Sequence, residues 1–376
     1  MSVICAAMLV TILASFLLAT PDGPATGSLQ TAPQAAAEST ITKLPHAEIS
    51  DLQKRADSGD AIAQFTLGKA YESGNGVPQS PDQAAIWYRI AAEQGNARAQ
   101  NSLGVLYWLG EGVEKDKTEA VRWYRKAARQ GDASAMFNLG AAYYNGEGVG
   151  RNDTLAYAWF LLSSEAGDPS GQDAAKRSQG EHGQAALNDA WVAIGQMYEK
   201  GEDLPQNMDL ASAWYRKAAE GGNTEAQVSL AILSMSVKNY NETRHWCEMA
   251  AKARHSGGYS CLGYLYRHGL GVEQNSQEAF NWYLQGARGS NLGAMRAVAQ
   301  MYEKGEGTKI DRSEAFLWYF YAGRRRGKES LLEAQEVRSA MTEKEWKDTQ
   351  KKLRQQGYKL NEVDEMLHSA GSQPVQ

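Results

Sequence analysis

"WYRKAA" occupies Trp123–Ala128 and returns letter for letter at Trp214–Ala219, with "WYRIAA" at Trp87–Ala92. A recurring hexapeptide calls for a search for a period. The tryptophans Trp87, Trp123, Trp159, Trp214, Trp246, Trp282 and Trp318 stand 36, 36, 55, 32, 36 and 36 residues apart. The gap of 55 is one period plus 19, and the gap of 32 is one period less 4. A small residue precedes each Trp, by 19 positions in six of the seven copies: Gly68, Gly104, Gly140, Gly195, Ala231, Gly263 and Ala299. Seven copies of one unit therefore run from about Gly59 to Gly327.

Each copy reads as two helices. In the second copy Ala99, Leu103, Val105, Leu106 and Tyr107 give the first helix its apolar spacing. Gly104 in mid-helix costs about 1 kcal/mol of propensity, so its recurrence predicts a close approach to the backbone there. The motif "GEGV" (Gly110–Val113) and its relatives follow the first helix, and a Gly just past the last turn suits the left-handed closing conformation. Seven residues before each Trp stand Ser80, Asp116, Asn152, Asn207, Asn239, Asn275 and Asp311. All are N-cap residue types, each worth about 1 kcal/mol. Gln83, Glu119, Glu242, Glu278 and Glu314, three positions on, predict capping boxes. The hexapeptide then lies on the second helix, its Trp expected between helices and its paired Ala forming a surface on which the next copy docks.

Composition narrows the function. A net charge of −5 with interspersed signs excludes a basic footprint for nucleic acid, and Arg324–Arg326 reads as a solvated helix end. The apolar run "VICAAMLVTILASFLLA" (Val3–Ala19) opens the chain, with no Lys or Arg before Lys43. Residues 1–27 read as a signal peptide or, alternatively, an uncleaved membrane anchor, and 28–47 as a linker. Export to a periplasm or beyond is the expected localisation, inner-membrane anchoring the alternative.

The pattern "A-x-x-x-LG-x-x-Y-x-x-G-x-GV" followed by "D/N-x-x-x-A-x-x-WY-x-x-AA-x-x-G" resembles the Sel-like repeat (SLR) family, relatives of tetratricopeptide repeats, over about 270 residues. The resemblance implies an all-α fold: a right-handed α-solenoid of helix-turn-helix units with a concave groove. It also implies an adaptor for other proteins, often exported and serving bacterial envelope signalling, assembly or host contact. A cysteine-rich branch is linked to β-lactam binding and hydrolysis, which makes a cell-wall enzyme or glycan binder the alternative reading. That branch has cysteine pairs in most repeats; this chain does not.

Departures from the pattern divide the chain further. Residues 48–58 read as an N-terminal capping helix, 59–167 as repeats 1–3 and 168–186 as an insertion with room for one extra helix. Repeats 4–7 follow over 187–327, then polar-faced capping helices over 328–368, with a capping box at Thr342 and Glu345, and a tail over 369–376. The fourth copy has Asp203 where the second loop Gly belongs.

Catalytic motifs are missing from the sequence: no H-E-x-x-H, no G-x-S-x-G, no Walker loop and no S-x-x-K. No enzyme, metal or cofactor is expected; a protein or peptide partner is. Cys247 and Cys261 lie on adjacent antiparallel helices, and counting from a turn near Ser256 offsets them by about 6 Å. A disulfide and two separately buried thiols both remain open. After the recurrent Tyr of the first helix the copies read Glu72, Trp108, Tyr144, Glu199, Met235, Arg267 and Glu303. Trp108 and Tyr144, with Phe65 and Phe137 two turns earlier, are candidate partner-binding anchors on a groove. Padding of the interhelical core is the competing reading.

Overall fold

The structure, a computed structural model, describes residues 45–371 apart from Gly327. The apolar run of residues 3–19 lies outside them, as do the linker up to residue 44 and the last five residues of the tail. Among the described residues there are eighteen helices and no strand, and no helix is long and apolar enough to cross a membrane. The chain divides into two compact units that meet at Ala211 and Ser212.

Unit 1 begins with α1 (His46–Asp57) and continues through three helix pairs: α2 (Ala61–Ser73) with α3 (Pro81–Glu93), α4 (Ala97–Leu109) with α5 (Lys117–Ala128), and α6 (Ala133–Asn145) with α7 (Asp153–Glu165). The insertion forms the first half of α8 (Pro169–Lys200), which breaks at Gly183 (φ 74°) before becoming the first helix of the fourth copy. The boundary between units falls in the first turn of α9 (Met208–Glu220).

Unit 2 contains α10 (Thr224–Ser236) with α11 (Tyr240–Lys252), α12 (Ser256–His268) with α13 (Ser276–Arg288), and α14 (Leu292–Lys304) with α15 (Arg312–Arg326). Three helices close it: α16 (Lys328–Ser339), α17 (Glu343–Gln355) and α18 (Leu360–Gly371), one more than a simple pair. Their core joins Phe316 and Phe320 of α15 to Val337, Leu353, Val363 and Leu367. Within each unit a helix packs chiefly on its neighbours in sequence.

All seven cap residues make the expected bond. Asp116, for example, accepts from the Thr118 and Glu119 N–H groups, and Asn207 and Asp311 accept from Leu210 and Glu314. The second half of the capping box does not form as the sequence predicts. The N–H of Asp116 donates instead to the Tyr107 carbonyl at 2.9 Å, that of Asn275 to Tyr266 and that of Asp311 to Tyr302. Each loop is thus stitched to its first helix, and the glutamates are released: Glu242 pairs with Arg216, and Glu314 with Lys352 at 2.7 Å. Only Thr342 and Glu345, among the described residues, complete the reciprocal box.

The hexapeptide distributes its residues differently from expectation. The residue after the Trp fills each interhelical layer: Tyr88, Tyr124, Phe160, Tyr215, Cys247, Tyr283 and Tyr319 are buried in every copy. These side chains lie on the mid-helix glycines. A Cβ on Gly68 would stand 2.6 Å from Tyr88 Cδ1, and one on Gly140 2.5 Å from Phe160 Cδ1. The tryptophans turn about 100° away around the helix; Trp123, Trp159, Trp214 and Trp246 are buried as expected, while Trp87, Trp282 and Trp318 are half-buried. Trp123 joins a core with Ala91 and Ala92 of the preceding second helix, and Lys126 Nζ stands 3.8 Å above its ring. Arg89 and Arg125 then donate to the Tyr107 and Tyr143 hydroxyls of the following first helix, at 2.5 and 2.8 Å. In the identical second string Lys217 Nζ likewise stands 3.7 Å from the Trp214 ring, whereas Arg216 pairs with Glu242.

The insertion changes what the fourth copy touches. In the second copy the second loop Gly, Gly112 (φ 65°), has no room for a side chain, because a Cβ would meet the Pro81 carbonyl oxygen at 2.2 Å. In the fourth copy that loop reaches α5 instead: Arg129 Nη1 donates to the Glu202 carbonyl at 2.7 Å, and Arg125 Nε stands 3.4 Å from Asp203 Oδ1. Asp203 is therefore no defect; its carboxylate supplies a contact that glycine could not.

Candidate binding groove

On unit 1 the first helices α2, α4 and α6 line a cavity of about 450 Å³. Its residues come from equivalent positions of three successive copies: Phe65, Asn101 and Phe137 are spaced by the 36-residue period, as are Ser102 and Asn138. Asn138, almost wholly buried, donates through Nδ2 to Asn101 Oδ1 at 3.0 Å. Ser134 donates to Asp168 Oδ2 at 3.1 Å, tying the wall of α6 to the start of α8. Lys69 and Arg98 are the cations of the lining, and Glu72, Glu111, Asp132 and Asp168 its carboxylates. Burial pushes the Asp132 carboxyl up from its ordinary range, while the Ala135 N–H and the Arg98 guanidinium oppose that rise.

The four aromatic candidates divide. Phe65 and Phe137 line the cavity, each with its ring 5.7 Å from the buried ring of its own repeat, Tyr88 and Phe160. Phe137 is 2% exposed and so forms floor rather than rim. Trp108 and Tyr144 are not part of the lining. Trp108, 8% exposed, packs at 6.3 Å against Tyr124, with Lys117 Nζ 4.9 Å above its ring. Tyr144 is half-buried beside Arg151, whose guanidinium stands 5.7 Å from the ring centroid.

The position occupied by Glu72, Trp108 and Glu303 serves the buried ring of its own copy. Tyr88 donates to Glu72 Oε2 at 2.7 Å, and Tyr319 to Glu303 Oε2 at 3.2 Å. Where Trp108 replaces the glutamate, the Tyr124 hydroxyl is buried without a partner. Sequence inspection missed Asn101, Asn138 and Arg98. For Asn101 a signal was present, since it stands one period from Phe65 and from Phe137; Asn138 and Arg98, in other register positions, had none of that kind.

Among the described residues, no group of three or more His, Cys, Asp or Glu could hold a metal ion. The cysteines are joined: Cys247 and Cys261 form a disulfide with Cα atoms 5.8 Å apart. The expected axial offset came from placing the turn at Ser256. The turn centres on Arg254, with α11 ending at Lys252 and α12 starting at Ser256, so each cysteine lies five residues inside its helix.

The Sel1 repeat family profile matches residues 61–96, 97–132, 133–168, 190–223, 226–255, 262–291 and 292–325, well over half of the chain. The chain belongs to the Sel1 repeat family. Each Sel1 repeat is one of the helix pairs above, and the gap from 169 to 189 coincides with the added helical segment of α8. A stretch of 96 residues is 30% identical to the ERAD-associated E3 ubiquitin-protein ligase component HRD3 of Candida glabrata, covering 24% of this chain and 12% of that protein. The chain thus spans about an eighth of the length of that curated relative. Among solved structures, a protective antigen of uropathogenic Escherichia coli with an SLR fold is 26% identical, over 88% of this chain and 75% of that one, at a TM-score of 0.44. A Sel1 repeat protein from Oxalobacter formigenes is 22% identical, over 88% of this chain and all of that one, at a TM-score of 0.37.

Proposed function

We propose that this Sel1 repeat protein is an exported scaffold that holds a segment of a partner protein in the unit 1 groove, in a bacterial envelope process. The groove is the observation that carries the reading. Three successive first helices offer aromatic faces, side-chain amides and charged groups along one cavity. Amides such as Asn101 and Asn138 can donate to and accept from a peptide backbone without regard to its side chains. Four carboxylates against two cations favour a segment with Lys or Arg. The apolar residues 3–19 support export, by a cleaved signal or a retained anchor.

The test starts from a partner captured from envelope extract and then measures its affinity by calorimetry. Asn101→Ala with Phe65→Ala is expected to weaken binding by about tenfold or more, since hot-spot losses commonly reach 2 kcal/mol. Circular dichroism serves as the folding control. Undiminished affinity in a folded double variant would remove the groove from the account. Amino-terminal sequencing of the protein recovered from a periplasmic fraction tests the export step separately.

A further inference from the structure

A second cavity, on unit 2, has the opposite electrostatic character. It measures about 480 Å³ and lies among α13, α14, α15 and the loop before α18. Buried Ala287 and Met295 form its floor, and Trp318, Tyr321 and Tyr358, all half-buried, form its aromatic walls. Three exposed arginines, Arg288, Arg324 and Arg325, complete the lining, and no carboxylate takes part in it. Arg324 is held in place: Nη1 donates to the Tyr358 hydroxyl at 2.5 Å and its guanidinium stands 4.7 Å from that ring. Among the described residues none of the three arginines has an ion pair. Elsewhere in this unit arginines find acids readily, as Arg267, Arg296, Arg312 and Arg338 do.

We infer that this cavity is a binding site for an acidic peptide segment, with carboxylate side chains on the arginine rim and an apolar or aromatic side chain between Trp318, Tyr321 and Tyr358. Guanidinium groups bind carboxylates through two parallel hydrogen bonds and keep their charge at all ordinary pH. Three of them around one aromatic pocket, in a protein of net charge −5, make a local positive feature and not a general one. Nucleic acid fits less well, because the basic groups ring a single cavity and do not follow a track along which a phosphate backbone could run. This site is separate from the unit 1 groove and stands or falls independently of it.

The experiment uses the full chain and fluorescence anisotropy of a labelled eight-residue peptide of alternating glutamate and small residues around one phenylalanine. Its probes for comparison are the same peptide with glutamine for every glutamate and a sulfated oligosaccharide of similar length. The acidic peptide is expected to bind, the glutamine peptide to bind about tenfold more weakly or worse, and the complex to weaken with salt. Arg288→Glu with Arg325→Glu should abolish binding while leaving helicity and the unfolding midpoint unchanged, because both side chains are exposed and unpaired; Arg288→Gln with Arg325→Gln should give an intermediate loss. The inference is overturned if the acidic peptide does not bind up to 1 mM (about 4 kcal/mol of affinity), or if binding survives the charge reversal in a folded protein. Equal or tighter binding of the sulfated oligosaccharide would also overturn it, since the cavity would then be an unselective cationic surface.

Discussion

Gly104 lies beneath the ring of Tyr124: a Cβ on that glycine would stand 2.7 Å from Tyr124 Cε1 and 3.1 Å from the Ala120 carbonyl oxygen. The ring is 1% exposed and has nowhere to retreat. Gly104→Ala would gain about 1 kcal/mol of helix propensity and lose about 1–3 kcal/mol to overpacking. The second effect dominates because one of the close atoms belongs to the backbone. The expected outcome is a lower urea midpoint for the variant, read by circular dichroism; a raised midpoint would mean that the helix pair can open at no cost.

Two tyrosines in equivalent positions should respond oppositely to loss of their hydroxyls. Tyr88 donates to Glu72, so Tyr88→Phe removes a charge-assisted bond and should cost about 1.5–3 kcal/mol. Tyr124 has a buried hydroxyl with no partner beneath Trp108, so Tyr124→Phe should be neutral or stabilising. Trp108→Ala, by contrast, should cost about 3–5 kcal/mol, as burial of a large ring requires. Urea denaturation of the three variants checks all of this, and a folded, undiminished Trp108→Ala would restore that residue to the list of exposed anchors.

How far the sequence could be read depended on the range of the interaction. N-caps such as Asp116 and Asn275 were legible because a cap bonds within three residues of itself. The missing half of the capping box was not. It depends on the Tyr107 carbonyl, nine residues upstream across a loop, which competes for the Asp116 N–H. Likewise Trp123 and Tyr124 are adjacent letters of one motif, and periodicity alone does not say which faces its own repeat and which the preceding one. The groove had a weaker trace. Phe65, Asn101 and Phe137 share one register position, but only the packing of α2, α4 and α6 turns that position toward a common cavity. Charge was the least legible: Arg324 and Arg325 read as a solvated helix end until Trp318, Tyr321 and Tyr358 were found around them.

The Cys247–Cys261 bond closes a short loop between α11 and α12, with a sequence separation of 14. A loop of that length corresponds to about 3 kcal/mol in the chain-entropy description. Reduction with dithiothreitol, or Cys247→Ser with Cys261→Ser, should therefore lower the stability of unit 2 by an amount of that order. The unit 1 groove should be unaffected. The check is the unfolding midpoint followed by fluorescence with and without reductant; an unchanged midpoint in the reduced protein would mean that the bond contributes no net stabilisation.

Acid should weaken unit 2 through one ion pair in particular. Arg267 grips Glu306 with both forks, Nε to Oε1 at 2.9 Å and Nη2 to Oε2 at 2.7 Å, joining α12 to the loop after α14. The hydrogen bonds from Arg267 hold the Glu306 carboxyl below the ordinary glutamate range, with burial opposing them. A carboxyl lowered on folding stabilises the native state above its unfolded pKa, near about 4.3, and loses that contribution as pH falls through the folded value. Stability should thus be level between pH 7 and 5 as far as this pair is concerned, and decline below pH 4.5. Glu306→Gln should lower the urea midpoint at pH 7 yet flatten the decline between pH 5 and 3. If the variant and the parent decline in parallel, the acid sensitivity belongs to other carboxylates, and Glu242, held low by Arg216, is the next to replace.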